Sequence, residues 1–303
     1  MDYFDEEKVR KLLRIEQLIP AMRKVLAEFS AGKWKQPLRG VLAQQGGFFG
    51  VMPASGESMG IKMVTFYPGN AGTNLPTHMA VIALFDPKTG EPLALMDGRY
   101  ITEMRTAAVS AVATDALAAP DAKVLTLLGA GVQAQAHLEV LPHVRRFEEV
   151  RVWNHHREKA ERFAEEHRIK AMGLEAAVRD ADVIVTATSA REPFLKGEWL
   201  KPGAHVNAVG ASRPDWRELD DAAMGNAVIV DSYEGARNES GDVILSKATP
   251  FAELGEILNG TKSVAPGRTT IFKSLGMAVE DVAAARMVYE AGRQNGDGLP
   301  SGR

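Results

Sequence analysis

The chain of 303 residues contains no cysteine. Disulfides, thiolate nucleophiles and cysteine-based zinc sites are therefore excluded, and the composition suits a reducing compartment. It also lacks an excess of either charge. Against 39 acidic side chains stand 36 basic ones, a formal net charge of -3, which gives no electrostatic reason to expect nucleic acid or anionic lipid as a partner. A long hydrophobic run is missing too. The uncharged stretch 64–85 is broken by Pro68, Gly69, Asn70, Gly72, Asn74 and Pro76, whereas a membrane span needs about 20 continuous apolar residues. The N-terminal "MDYFDEEKVRKLL" is acidic and has neither the basic nor the apolar region of a secretory signal. A cytoplasmic protein is expected, with a small-molecule ligand, no nucleic acid, no membrane and no metal.

What is present points to two domains, since 303 residues exceed the roughly 100 to 200 typical of one. Residues 5–30 carry apolar side chains at helical spacing and end before Gly32. From 39 to 96 short apolar runs alternate with turn residues, "DPKTGEP" being the clearest turn, as in an antiparallel meander. "ITEMRTAAVSAVATDALAAP" reads as a helix with Thr102 as N-cap and Pro120 beyond its end. After Lys123 strands and amphipathic helices alternate, the mark of a parallel sheet with helices on both faces. The fold class is thus α/β: a Rossmann-type parallel sheet over 119–277, beside an α+β substrate and dimerisation domain over 1–118. A last helix from about 278 to 291, followed by a polar and mobile tail, is expected to complete the first domain, which then comprises 1–118 and 278–303.

"VLTLLGAGVQAQAHLEVL" sets Gly129 and Gly131 between a strand and a helix, with Ala134 in the third small position. In a dinucleotide site the first glycine makes the tight turn and the second admits the pyrophosphate. The helix start then offers free N–H groups to the phosphates. Gly129, Ala130, Gly131, Val132 and Gln133 are the expected contacts; as a bare pattern the same glycines also read as a structural turn. About 20 residues on, such sites carry an acid for the ribose 2'-hydroxyl. Here "VRVWNHHREK" supplies Asn154, His155, His156 and Arg157. These can donate to a 2'-phosphate that a carboxylate would repel, so NADPH is expected, with NADH as the weaker cofactor. Read blandly, the same residues are a solvated helix start.

Beyond these local motifs, the chain resembles the ornithine cyclodeaminase/mu-crystallin family, and within it the ketimine reductases of mu-crystallin type. The likeness runs through "GVMPA", "KMVTFY", "MDG" followed by "RTAAVSAVAT", "LGAGVQA", "GEWLKPGAHVNAVGASRPDWRELDD", "ESGDV", "FAELGE" and "FKSLGMAVED". It implies a homodimer that reduces the C=N bond of cyclic ketimines bearing a 2-carboxylate, of the piperideine or pyrroline type. Amino-acid dehydrogenase or N-alkyl amino-acid reductase activity, and NADPH-dependent thyroid-hormone binding, are the alternatives it leaves open.

The residues that would do this work are basic side chains in apolar settings. Arg39, Lys62 and Arg105 match family positions that bind the substrate carboxylate or flank the reacting centre, with Lys62 and Arg105 in the catalytic role; each also reads as a structural ion pair. His78 matches a position near the nicotinamide and is counted with the substrate-binding groups. Ser212 stands where cyclodeaminases carry an Asp, which disfavours ornithine cyclisation because a hydroxyl cannot replace a carboxylate base. It is expected to touch the substrate or the nicotinamide. Thr106, Thr188, Gly210 and Arg213 complete the implied cofactor contacts. Ser274, after a short strand at the open end of the sheet, joins them, while the acids of "ESGDV" read equally as caps or loop residues.

Overall fold

The first strand is one that the sequence pattern does not announce. In the computed structural model, which describes residues 1–295, β1 (Asp2–Phe4) is three residues long, too short to display a period of two. Two helices follow, α1 (Glu6–Leu12) and α2 (Ile15–Ser30), in place of the single segment expected over 5–30. Asp5 caps the first by accepting the Lys8 N–H. The chain is extended at Leu13 and Arg14. A continuous helix would set Leu12 and Leu13 about 100° apart, and the extended link lets both be buried.

β2 (Gly40–Gln44), β3 (Gly47–Ser55), β4 (Met59–Phe66), β5 (His78–Phe85) and β6 (Pro92–Asp97) form the expected antiparallel meander. β1 joins it in parallel at β6, so the order is β1-β6-β5-β4-β3-β2. The β5–β6 turn is fixed by Asp86, whose Oδ1 accepts the N–H groups of Lys88 and Thr89. The helix α3 (Arg99–Leu117) begins earlier than expected. Asp97 Oδ1 accepts the Arg99 N–H at 2.9 Å. Thr102 is not the N-cap: it already lies inside the helix and its hydroxyl donates back to the Gly98 carbonyl at 2.7 Å.

The second sheet has eight parallel strands: β7 (Val124–Leu128), β8 (Glu149–Trp153), β9 (Lys170–Ala171), β10 (Val183–Thr186), β11 (His205–Ala208), β12 (Ala227–Val230), β13 (Ala252–Glu253) and β14 (Thr270–Lys273). Their order is β13-β12-β14-β11-β10-β7-β8-β9. The two-residue β9 and β13 escape a sequence reading. β10, β11, β12 and β14 are buried at every position, so they lack the period-two alternation of a half-exposed strand. Among the helices between strands, α4 (Val132–Val140) follows β7 and α5 (Arg157–His167) follows β8. The sheet changes winding direction between β7 and β10, and in such sheets ligands bind outside the carboxyl ends of the strands at that point.

The chain divides into two units, Met1–Arg105 with the segment from Met277 onward, and Thr106–Gly276. The boundary at 118/119 inferred from sequence is displaced because polar side chains tie the later turns of α3 to the parallel sheet. Ser110 Oγ lies 2.8 Å from His137 Nε2, and Thr114 Oγ1 accepts from Asn207 Nδ2 at 2.9 Å. In the first unit the C-terminal helix, Ala278–Asn295, packs on α2, β3, β4 and β5. It runs past Ala291, where the polar tail is expected to begin. Gly292 is no terminator: a Cβ there would come within 2.4 Å of the Phe4 ring, so glycine permits the close approach. The rest of the expected tail and domain-completing segment, 296–303, lies outside the described residues.

Candidate active site

Strand alternation puts Gly60, Lys62 and Val64 on the buried face of β4, and cross-strand from Lys62 are Met52 and Ile82. An ammonium 2% exposed in such a row is stable only if paired. Its partner comes from the first turns of the C-terminal helix: Asp281 Oδ2 lies 2.6 Å from Lys62 Nζ. The other oxygen, Oδ1, accepts from Arg105 Nε at 2.8 Å. Arg105 Nη1 donates to Glu280 Oε2 at 2.6 Å, and the same oxygen accepts the Met277 N–H at 3.1 Å. Glu280 thus helps to cap the helix while it holds Arg105.

Burial pushes the Lys62 ammonium down to about 8; Asp281 opposes that shift, and the charges of Arg105 and Arg39 reinforce it. Arg39, half-buried just before β2, therefore shares the electrostatic field of the cluster. Burial raises the Asp281 carboxyl, but Arg105 and Lys62 outweigh burial and hold it below the usual carboxylate range. His78 begins β5, and burial, with the charges of Lys62 and Arg105, brings its imidazole down to about 4. It is neutral at physiological pH and cannot serve there as an imidazolium acid. Lys62 and Arg105 thus share the Asp281 carboxylate, with the Arg39 charge felt at Lys62.

In the second unit the glycine turn has the predicted strand–turn–helix setting. Gly129 has φ +126°, and a Cβ there would meet the Ala187 carbonyl at 2.5 Å, so only glycine fits. Gly131, by contrast, has nothing within 4 Å of an added Cβ and precedes α4. That open backbone is what a close-lying pyrophosphate requires. Gln133 Oε1, in the first turn of α4, is buried without a hydrogen-bond partner among the described residues. Ala130 and Val132 complete the turn, Val132 being 56% exposed at the helix start.

The Gly129 N–H donates to the Trp153 carbonyl at 2.8 Å, which brings the turn beside the end of β8 and Asn154. Asn154 Oδ1 accepts the His156 N–H at 2.9 Å, closing a local turn. His155 and His156 are exposed, and their rings meet edge to face at 5.4 Å. Arg157, its side chain 89% exposed, pairs with Glu161 at 2.7 Å. Thr188 follows β10, and a Cβ on Gly129 would lie 3.6 Å from its methyl. The ends of β7, β8 and β10 thereby gather Gly129, Asn154 and Thr188.

The remaining candidates sit on a buried polar network. Thr188 donates through its N–H and hydroxyl to Glu218 Oε1 at 2.7 and 2.6 Å, and Thr186 Oγ1 donates to Oε2 at 2.6 Å. Burial raises the Glu218 carboxyl, although Lys273 and the threonines act against it. Asp242 Oδ1 accepts the N–H groups of Glu218 and Leu219. Lys273 pairs with Asp242 Oδ2 at 2.9 Å and donates to the Gly210 carbonyl. Within "ESGDV", Ser240 caps a helix and Asp242 joins this network. Ser212 is exposed, and Arg213 lies over the Trp216 ring at 5.2 Å. Ser274 is 2% exposed, with Asp231 Oδ2 at 3.5 Å, and Thr106 is 8% exposed in α3.

Asp281 and Glu280 are the functional candidates missed from sequence. The test that selected Lys62 and Arg105, a charge in an apolar context, would have found them in "SLGMAVEDVAAA" had it been applied to acids. Glu218 hides better, among charged neighbours in "PDWRELDD".

A doubly wound parallel sheet with a glycine turn and an open helix start at its switch point defines a dinucleotide-binding class of α/β protein. The family model for the ornithine cyclodeaminase/mu-crystallin family matches residues 3–296, and the chain belongs to that family. It is 52% identical over 303 residues to the ketimine reductase mu-crystallin of Mus musculus, covering 95% of this chain and 96% of that one. Among solved structures, the Delta(1)-pyrroline-2-carboxylate reductase of Thermococcus litoralis in complex with NADH and L-proline is 38% identical. It superposes with a TM-score of 0.94 over 99% of both chains. An archaeal alanine dehydrogenase dimer with bound NAD is 34% identical, with a TM-score of 0.93 over 99% of this chain and 98% of that one.

Proposed function

We propose that the protein is an NADPH-preferring reductase of cyclic ketimines that carry a 2-carboxylate. The observation that carries this reading is the buried cluster in which Lys62 and Arg105 share Asp281, with Arg39 in its field, since basic groups gathered in an apolar setting suit a small carboxylate. The activities named for the mouse and Thermococcus relatives support it. So does the L-proline in the Thermococcus structure, which has the form of a reduced pyrroline carboxylate.

The residues present fit a pyridine nucleotide: Gly131 leaves its backbone open, Gln133 Oε1 awaits a partner, and the start of α4 offers N–H groups. When bound, the nicotinamide supplies the hydride for the imine carbon. Arg39 and Arg105 hold the carboxylate by charge-assisted hydrogen bonds. Lys62 orients the ring and, with a proton affinity near neutrality, can deliver the proton that the nitrogen takes as the C=N bond becomes C–NH. Neutral His78 contributes a hydrogen bond at most. Asn154, His156 and Arg157 favour the 2'-phosphate of NADPH, with NADH as the weaker cofactor. Ser212 offers no carboxylate for ornithine cyclisation.

The same reading makes the first unit the substrate-binding and dimerisation domain of a homodimer, in the cytoplasm. No helix among the described residues is long and apolar enough to cross a membrane. The experiment is NADPH oxidation with pyrroline- and piperideine-2-carboxylate, repeated with NADH and with pyruvate plus ammonia or methylamine. Turnover of a cyclic ketimine faster with NADPH is expected. No turnover of any cyclic ketimine would overturn the reading.

A further inference from the structure

Asp281 neither binds the carboxylate nor moves the hydride in that reaction, yet it is fully buried at the centre of the cluster. A carboxylate beside the binding point of an anionic substrate weakens binding unless it performs another task. Replacing a buried ion pair by apolar residues is often neutral or stabilising, so stability alone does not account for its presence. Its geometry does. One oxygen holds Lys62 of β4 at 2.6 Å, and the other holds Arg105 of α3 at 2.8 Å. Glu280, the neighbouring acid, has the capping contact to Met277 as a separate structural reason; among the described residues the Asp281 carboxylate is set against the two cations.

We propose, on the basis of the ketimine-reductase reading, that Asp281 is a positioning residue that fixes the spacing and orientation at which the Arg105 guanidinium receives the substrate carboxylate and the Lys62 ammonium meets the ring. The groups facing Lys62 agree with this. Arg39 ahead of β2, Arg105 on α3 and burial all favour loss of its proton; Asp281 is the group that opposes them, and neutral His78 on β5 does not. Without Asp281, two neighbouring cations would repel each other, and Lys62 would yield its proton at lower pH.

The test compares Asp281→Asn, which keeps the shape and removes the charge, with Asp281→Glu, which keeps the charge and displaces it by one methylene. Titration of Lys62 by NMR in carbon-13-lysine-labelled protein reads its protonation without any turnover. In D281N, Lys62 is expected to titrate below the parent value, and the alkaline fall of kcat/KM to move to lower pH with it. The loss in kcat/KM for a cyclic ketimine should be on the order of 100-fold, mainly through KM. D281E should titrate near the parent yet lose kcat/KM through misplacement. A drop in unfolding midpoint with kcat/KM and pH profile unchanged would overturn the proposal. If D281N does not fold, parent-like kcat/KM in D281E overturns it equally. Should the parent reduce no ketimine, the reductase reading fails by itself, and an unmoved Lys62 titration in D281N still refutes the hold of Asp281 on Lys62.

Discussion

Lys273 Nζ lies 2.9 Å from Asp242 Oδ2, and both side chains are wholly buried at the carboxyl end of the parallel sheet. The ammonium also donates to the Gly210 carbonyl, while the opposite oxygen of Asp242 takes the N–H groups of Glu218 and Leu219. One ion pair therefore anchors both ends of the 210–219 segment. Lys273→Met should cost about 3–5 kcal/mol, because it leaves the Asp242 charge buried and unpaired. Lys273→Met with Asp242→Leu should recover part of that loss. Urea unfolding with an unchanged m-value is the check; a single variant as stable as the parent would remove the pair from the account.

Acid should loosen the second unit through two buried histidines. His137 Nδ1 lies 2.7 Å from the Gln133 carbonyl and its Nε2 2.8 Å from Ser110 Oγ. His205 Nδ1 lies 2.8 Å from Thr270 Oγ1. Burial pushes each down to about 4, from an ordinary value of 6.5. A lowered folded pKa means that the unfolded chain binds more protons between those limits. Stability is therefore fully present above about pH 6.5 and is lost progressively as the pH falls towards 4. Each histidine contributes at most about 1.4 kcal/mol per tenfold rise in proton concentration. Denaturant midpoints at a series of pH values test the slope, and His137→Gln should flatten it.

Much of this was legible in the sequence because two signals were strong. Short apolar runs separated by turn residues between 39 and 96 announced the meander, and the apolar setting of Lys62 singled it out. The glycine turn was legible in its strand–turn–helix setting between β7 and α4. What stayed hidden lacked either periodicity or proximity along the chain. β1, β9 and β13 are two or three residues long. Asp281 follows Lys62 by more than two hundred positions, and only folding reveals that one carboxylate serves two distant cations. The start of α3 fell earlier than Thr102 suggested, because a threonine inside a helix can donate back to a carbonyl one turn before it as readily as it can cap one, and the sequence does not carry that geometry.

Cofactor choice should turn on the end of β8. Asn154 already spends Oδ1 on the His156 N–H, and Arg157 pairs with Glu161 on an exposed helix face. Asn154→Asp combined with Arg157→Ala places a carboxylate where the 2'-phosphate would lie and removes a cation. The ratio of NADPH to NADH affinity should fall at least tenfold, about 1.4 kcal/mol. Direct cofactor binding by fluorescence measures it without substrate. An unchanged ratio would return Asn154 and Arg157 to the role of a solvated helix start.

Every residue of β2 is exposed, with Val41 at 49% and Leu42 at 63%, and the strand lies at the edge of its sheet. An exposed apolar edge strand invites pairing with another chain, and proteins usually blunt such edges with charge or proline. Here neither is present within Gly40–Gln44. In the homodimer proposed above, a second copy of the chain would cover this strand, since a two-fold contact covers the same strand on both subunits at once. Leu42→Lys should therefore shift the protein towards monomer in sedimentation velocity, while cofactor binding by the second unit persists. A parent protein that sediments as a monomer at micromolar concentration would refute the two-fold contact, and a Leu42→Lys variant that remains fully dimeric would move the interface away from β2.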